Sequence, residues 1–264
     1  MSTSGSLSSV VALVTGANGD IGFGICERLL DHYETIDSSI TIILACRNKK
    51  KAQQAQQQLI SKYFANSVEG EERIQLVLMD LSNTASVFAA FDRIDFLILN
   101  AGIMPISHMS LSGAFKDLFT RPATLAKTGG DALIQRTGTV TSEGLGEVFS
   151  ANVFGHYIIV RELEDIMIKS KSPRIVWMSS TTASPSAMSF EDYQCLKGKY
   201  PYESSKRMCE ILSLEMNSDL AKKGIHSFIA SPGNVSSGIT QGAIAGFVLV
   251  GVLIIVSYST LCML

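Results

Sequence analysis

Short apolar runs separated by longer amphipathic stretches set the pattern of this chain. Val10–Val14 is a β-branched run of strand length, and similar runs recur at Ile40–Ala45, Ile74–Met79, Phe96–Leu99, Ile175–Met178 and Ser227–Ala230. Runs that stay apolar at consecutive positions predict strands covered on both faces, as in a parallel sheet. Between them, Ile21, Ile25 and Leu29 recur at helical spacing, and a Gln-rich helical stretch follows Asn48. Val148–Ile168 and Tyr202–Lys222 carry longer helical patterns. Strand alternating with helix predicts an α/β fold, a doubly wound parallel sheet in a three-layer α/β/α arrangement.

Two stretches interrupt the alternation. Residues 104–147 are long and rich in Gly, Thr and Ser, and residues 181–199 lie between a Ser pair and the helix that begins near Tyr202. Both follow the carboxyl ends of predicted strands, where open α/β sheets bind ligands. They are expected to shape a substrate mouth; the plainer alternative is a pair of surface insertions.

Two local patterns carry chemistry. A Tyr and a Lys four residues apart, Tyr202 and Lys206, share one face of a helix. A phenol titrates near pH 10, so bringing it to neutrality takes about 4 kcal/mol. An ammonium about 4 Å away supplies energy of that order at an effective dielectric near 20. The spacing also occurs by chance on amphipathic helices and needs company. The first strand supplies it: Val10–Val14 runs into Thr15-Gly16-Ala17-Asn18-Gly19-Asp20-Ile21-Gly22 and then into a helix. In a strand, glycine turn and helix of this kind, a tight turn presents helix-start amides to a pyrophosphate.

Together with Asn100-Ala101-Gly102, Ser180 and Tyr202/Lys206, the Thr-Gly-x-x-x-x-Ile-Gly turn resembles the short-chain dehydrogenase/reductase family. Leu44-Ala45-Cys46-Arg47-Asn48, Leu99 to Pro105, Asn152-Val153-Phe154-Gly155-His156 and Gly198-Lys199-Tyr200-Pro201-Tyr202 resemble its 3-keto-steroid reductase branch. The resemblance covers roughly residues 10–240 and implies a Rossmann-like fold. It implies an enzyme that reduces a sterol or steroid ketone with NADP(H), a 3-keto group or, as the alternative, a 17-keto group. Its catalytic residues would be Asn152, Ser180, Tyr202 and Lys206. Cofactor contacts would come from Gly16, Asn18, Asp20, Ile21, Gly22, Arg47, Asp80, Leu81, Asn100, Ala101, Gly102, Pro232 and Gly233, with Tyr202 and Lys206 also facing the cofactor. Arg47 after the second strand, where an NAD enzyme presents an acidic residue, points to the 2′-phosphate of NADP, against a merely solvated Arg. Ser180 would donate to the substrate carbonyl, since an oxygen turning into an alkoxide gains most from preorganised donors. Asn is an unfavourable helix residue; the family uses the Asn152 position to hold a water linked to the Lys. His32, His108, His156 and His226 fit no metal spacing and read as structural.

Composition changes the picture at the ends. With 264 residues and 46% hydrophobic content the chain can bury one large core, and a net charge of −2 argues against a nucleic-acid surface. Lys49-Lys50-Lys51 reads as a solvated helix start, and five cysteines without metal-ligand spacing read as reduced thiols. Residues 1–9 are expected to be a disordered Ser-rich tail, residues 10–240 the cofactor-binding catalytic domain, and residues 241–264 an apolar membrane segment. No Asp, Glu, Lys or Arg occurs from Gly224 to Leu264. As a helix, the 23 residues from Gly242 would be about 34 Å long against a hydrocarbon core of about 30 Å. That segment either spans a bilayer or lies at its interface over a sterol pocket. By resemblance the membrane is that of the endoplasmic reticulum, with the charged domain facing the cytosol.

Three departures from the family accompany these expectations. Asp20 stands at a glycine position, the helix between Leu81 and Asp95 is short, and nothing after Val256 reads as a further strand and helix. The sheet is therefore expected to lack its last edge strand. A second reading follows from that: a non-catalytic, membrane-attached, cofactor-binding partner of other sterol-biosynthesis enzymes.

Overall fold

The computed structural model describes residues 9–65, 67–79, 92–122, 124–125 and 129–233. Asp80, Leu81, the short helix expected after them and the apolar segment from residue 241 lie outside these residues. Strands β1 (Val10–Thr15), β2 (Ile40–Cys46), β3 (Ile74–Leu78) and β4 (Phe96–Leu99) form where the apolar runs predict them. A hairpin, β5 (Ile106–Met109) and β6 (Leu133–Gln135), precedes β7 (Arg174–Met178) and β8 (His226–Ala230). The main sheet has the order β3-β2-β1-β4-β7-β8, with every pairing parallel. The strand order reverses between β1 and β4, so the crevice of this doubly wound sheet opens at Thr15 and Leu99.

The two faces follow from the strand period of two. Ala12, Val14, Ile42 and Leu44 pack with Cys26 and Leu30 of α1 (Asp20–Thr35) and with Ala52, Ala55 and Leu59 of α2 (Lys49–Tyr63). Their neighbours Leu13, Ile43, Leu97 and Leu99 face the other way, onto Ile159, Val160 and Leu163. Those belong to the helix Gly155–Met167, and Met208, Cys209 and Leu220 join the same cluster from the helix Pro201–Lys222. Strands β1, β2 and β4 thus bury both faces, which is why their apolar runs are unbroken.

Two elements differ from the sequence expectation. The helix foreseen over Val148–Ile168 is a turn of α-helix at Glu147–Phe149, a π turn at Ser150–Phe154 and then the helix Gly155–Met167. Inside the stretch 104–147 the chain builds an antiparallel pair, β5 with β6, flanking helix α3 (Leu111–Thr120). The helix Gly155–Met167 is α4 and the helix Pro201–Lys222 is α5. Among the described residues β8 pairs only with β7, and Phe228 and Ile229 on it stay 48% and 39% exposed. No helix among the described residues is long and apolar enough to cross a membrane.

Candidate active site at the sheet switch point

Thr15 ends β1 fully buried, and its hydroxyl organises the crevice. Oγ1 accepts the N–H groups of Asn100 at 2.8 Å and Ala101 at 2.9 Å, so the Asn100-Ala101-Gly102 turn hangs from the first strand. Asn100 Nδ2 returns a bond to the Thr15 carbonyl at 3.0 Å. The following turn depends on two glycines. Gly16 has φ of +65°, and a Cβ on it would sit 2.9 Å from Ala101 Cα. A Cβ on Gly22 would sit 2.4 Å from the Gly16 carbonyl and 2.7 Å from Asn100 Nδ2. Ala17, Asn18 and Gly19 lead into α1, whose N-cap residue Gly19 provides no side-chain cap. First-turn amides without a side-chain cap suit an anion. Asp20 and Ile21 are the first two residues of α1, and Asp20 does not have a positive φ. The positive φ of this turn is at Gly16, so the backbone does not require the family's glycine at Asp20.

These features fit a dinucleotide: a sterically closed glycine turn, a helix N-terminus and an adjacent cation. Arg47 is exposed at the end of β2. A groove between the start of α1 and α2 is lined by Asn18, Gly19, Asp20, Phe23, Lys51 and Gln54. Lys51 was assigned to a solvated cluster on sequence alone. It lines this groove together with the first turn of α1.

The chemistry-bearing residues meet on the other side of the crevice. Ser179 and Ser180 follow β7, and the pair is resolved by their partners. Ser179 Oγ donates to Glu210 at 2.8 Å, whereas Ser180 Oγ lies 3.0 Å from Thr182 Oγ1 and is the polar side chain that faces the Tyr202 phenol. Lys206 is buried, its Nζ 2.8 Å from the Met178 carbonyl and 5.7 Å from the centre of the Tyr202 ring. The depression of the phenol expected from the Tyr–Lys spacing is not what this arrangement gives. Burial pushes the Tyr202 phenol above its ordinary value, with the Ser180 hydroxyl opposing it, and burial pushes the Lys206 ammonium below its own. The ammonium is committed to a backbone carbonyl, so desolvation decides both groups.

Asn152 sits at the middle of the π turn, fully buried. Its side chain does not point at a free space: Oδ1 accepts Ile103 N–H at 2.7 Å, while Nδ2 donates to the Ile103 carbonyl at 3.0 Å and to Ser205 Oγ at 2.9 Å. Its main-chain carbonyl takes His156 Nδ1–H at 3.1 Å and the Cys209 thiol at 3.2 Å. His156 Nε2 is in turn 3.1 Å from Thr15 Oγ1. Pro232 and Gly233 follow β8 on the same edge of the sheet as Ser180 and are exposed, with Gly233 at φ of +74°. Sequence reasoning placed His156 among structural histidines; its position four residues after Asn152 on one helix was the sign that the two are linked.

The model of the short-chain dehydrogenase family matches residues 10–245 of this chain. The chain is a short-chain dehydrogenase/reductase. Among curated proteins, this dehydrogenase is 37% identical over 246 residues to the human 3-keto-steroid reductase/17-beta-hydroxysteroid dehydrogenase 7, a match covering 90% of this chain and 69% of the human protein. It is 35% identical to the 3-keto-steroid reductase erg27 of Schizosaccharomyces pombe, covering 76% and 61%. Salutaridine reductase from Papaver somniferum shares the fold with a TM-score of 0.64 at 21% identity, over 87% of this chain and 88% of that one. An NADP complex of Pseudomonas aeruginosa RhlG does so with a TM-score of 0.60 at 20% identity, over 89% and 76%. A nicotinamide dinucleotide is the cofactor of this family.

The buried imidazole of this dehydrogenase gives a pH signature. Desolvation, then the nearby Lys206 charge, lower the His156 pKa from 6.5 to about 3. The unfolded chain therefore binds the extra proton between these values and the folded chain does not, so stability is lost as pH falls below 6.5. By linkage His156 removes about 2 kcal/mol between pH 8 and pH 5. Denaturant unfolding of wild type and His156→Gln across this range is expected to show a slope flatter by that amount in the variant. Parallel curves would mean that the imidazole is not held neutral.

Proposed function

We propose that this chain is an NADPH-dependent reductase of sterol or steroid ketones, acting at the 3-keto position in sterol biosynthesis. The observation that carries the reading is the meeting of Ser180, Tyr202 and Lys206 beside a dinucleotide turn, in a chain whose curated relatives are named 3-keto-steroid reductases. The bound cofactor supplies the hydride that adds to the keto carbon. Ser180 Oγ donates to the carbonyl oxygen as negative charge develops on it. Tyr202 gives that oxygen its phenolic proton, yielding the hydroxyl. A phenol that burial holds protonated is suited to the acid role in reduction. Lys206, with its pKa lowered by burial, is suited to return the proton to the phenolate. Asn152 fixes the Ile103 backbone and Ser205 beside them. The reading of a non-catalytic partner of other sterol enzymes is not favoured, because all four residues are present and assembled.

NADPH is our choice over NADH because Arg47 follows β2, where an NAD enzyme presents an acidic residue, and Lys51 lines the groove at the start of α1. Association with the endoplasmic reticulum membrane, with this domain on the cytosolic side, is likewise our proposal. It is supported by the uncharged sequence from Gly224 onward and by Leu111, Phe115 and Phe119, all strongly exposed at i, i+4 and i+8 on α3. Purified protein supplied with NADPH and a panel of 3-keto and 17-keto steroids, followed at the nicotinamide absorbance, tests the activity directly. Consumption of NADPH with none of them would end the reading.

Tyr202→Phe is expected to lower turnover by about 10²-fold or more, the scale of general acid catalysis, while NADPH affinity measured by fluorescence titration stays near wild type. A variant that turns over normally removes Tyr202 from the acid role. Arg47→Asp is expected to invert the cofactor preference in paired NADPH and NADH titrations; equal binding of both by wild type would contradict the phosphate role. Deleting residues 242–264 is expected to move the protein from the membrane pellet to the supernatant after lysis. A full-length protein already found in the supernatant would count against membrane attachment.

A further inference from the structure

Helix α5 begins with Pro201, and its N-cap residue Tyr200 provides no side-chain bond to the first turn. The amide N–H groups of a first turn have no partner within their own helix. Here one is met from a distant element. Gln135, at the end of β6 and 8% exposed, accepts the N–H of Tyr202 at 3.0 Å through Oε1. Its Nε2 donates to Glu203 Oε2 at 2.7 Å. The same segment takes a second hold just upstream: Asp131 accepts from the Tyr200 hydroxyl at 2.8 Å and from Lys199 Nζ at 3.1 Å. Asp131 is itself anchored, since its N–H and the Arg121 guanidinium both bind the fully buried Asp117 carboxylate of α3.

We propose that Gln135 is a positioning residue for Tyr202, holding the first turn of α5 so that the phenol meets Ser180. Tyr202 is the second residue of the helix, where an uncapped turn frays, and a displacement of about 1 Å at a reacting group costs on the order of 10²-fold in rate. Lys206 lies a turn further in and is held independently by the Met178 carbonyl. Losing Gln135 therefore disturbs the phenol and spares the lysine. The stretch from α3 to β6, which borders the expected substrate mouth, thereby sets the geometry of the acid.

This proposal rests on the reductase reading, so its test carries one readout that needs no turnover. Full-length wild type, Gln135→Leu, Gln135→Glu, Glu203→Gln and the exchange Q135E/E203Q are compared. The measurements are kcat and KM for a 3-keto steroid, NADPH affinity, and the Tyr202 titration seen by ultraviolet difference against Tyr202→Phe in each background. Gln135→Leu loses both bonds, and Gln135→Glu sets two carboxylates against each other. Each is expected to lower kcat by about tenfold or more with NADPH affinity within about twofold of wild type, and to shift the Tyr202 titration. The exchange keeps an acceptor for the Tyr202 N–H and rebuilds the side-chain bond with the amide donor now at position 203, and is expected to restore kcat and the titration. Should Gln135→Leu not fold, Gln135→Glu and its rescue by Glu203→Gln decide the matter. Wild-type kcat and titration in Gln135→Glu, or an exchange no better than Gln135→Glu alone, would overturn the proposal. A wild type without turnover would sink the reductase reading, while the Tyr202 titration would still decide the role of Gln135.

Discussion

The site depends on a neutral imidazole buried beneath the carboxyl edge of the sheet. The Asn152 carbonyl can only accept, so His156 must carry its proton on Nδ1, and a neutral ring then accepts at Nε2. The Thr15 hydroxyl already accepts the amides of Asn100 and Ala101, and its own proton faces two acceptors, His156 Nε2 at 3.1 Å and the Ile98 carbonyl at 3.4 Å. The imidazole joins the turn after β1, the turn after β4 and the π turn into one assembly, and through Asn152 it reaches Ser205 and Cys209 of α5. A charged imidazole would keep its Nδ1–H on the Asn152 carbonyl but turn Nε2 into a donor and lose the bond from Thr15, and burial next to Lys206 is what prevents it.

The same desolvation sets the two groups that carry the proposed proton transfer. Lys206 and Tyr202 are displaced in opposite directions, each toward its uncharged form. In an exposed pair, the ammonium would lower the phenol. Here its first partner is the Met178 carbonyl at the end of β7, so the sheet itself holds the lysine in place. The contrast is Asp131, whose carboxyl is held far below the usual carboxylate range by Tyr200 and Lys199. It stays ionised and works as an anchor outside the catalytic cluster.

The hairpin segment links the two regions. Asp117 and Asp131 bind α3 to the residues before α5, and Gln135 meets the helix at its second residue. A segment that reads as an insertion on the mouth of the site is thereby part of the support of the acid.

The sequence by itself determined the main sheet, its parallel sense and its faces, because strand and helix periods are local and the central strands are apolar on both faces. It also determined the glycine turn at Gly16 and Gly22 and the pairing of Tyr202 with Lys206, whose spacings are short. Ser180 over Ser179 was legible from family resemblance, and the structure supplies the reason in the bond from Ser179 to Glu210. What only the tertiary structure decided spans long separations in the chain. The π turn at Asn152 answers to contacts with Ile103, Ser205 and Cys209, the β5–β6 pairing joins residues about a quarter of a hundred apart, and the cap on Tyr202 comes from Gln135, 67 residues earlier. The direction of the Tyr202 and Lys206 shifts belongs to the same class, because desolvation is a property of everything packed around a group, and no spacing along the chain encodes it.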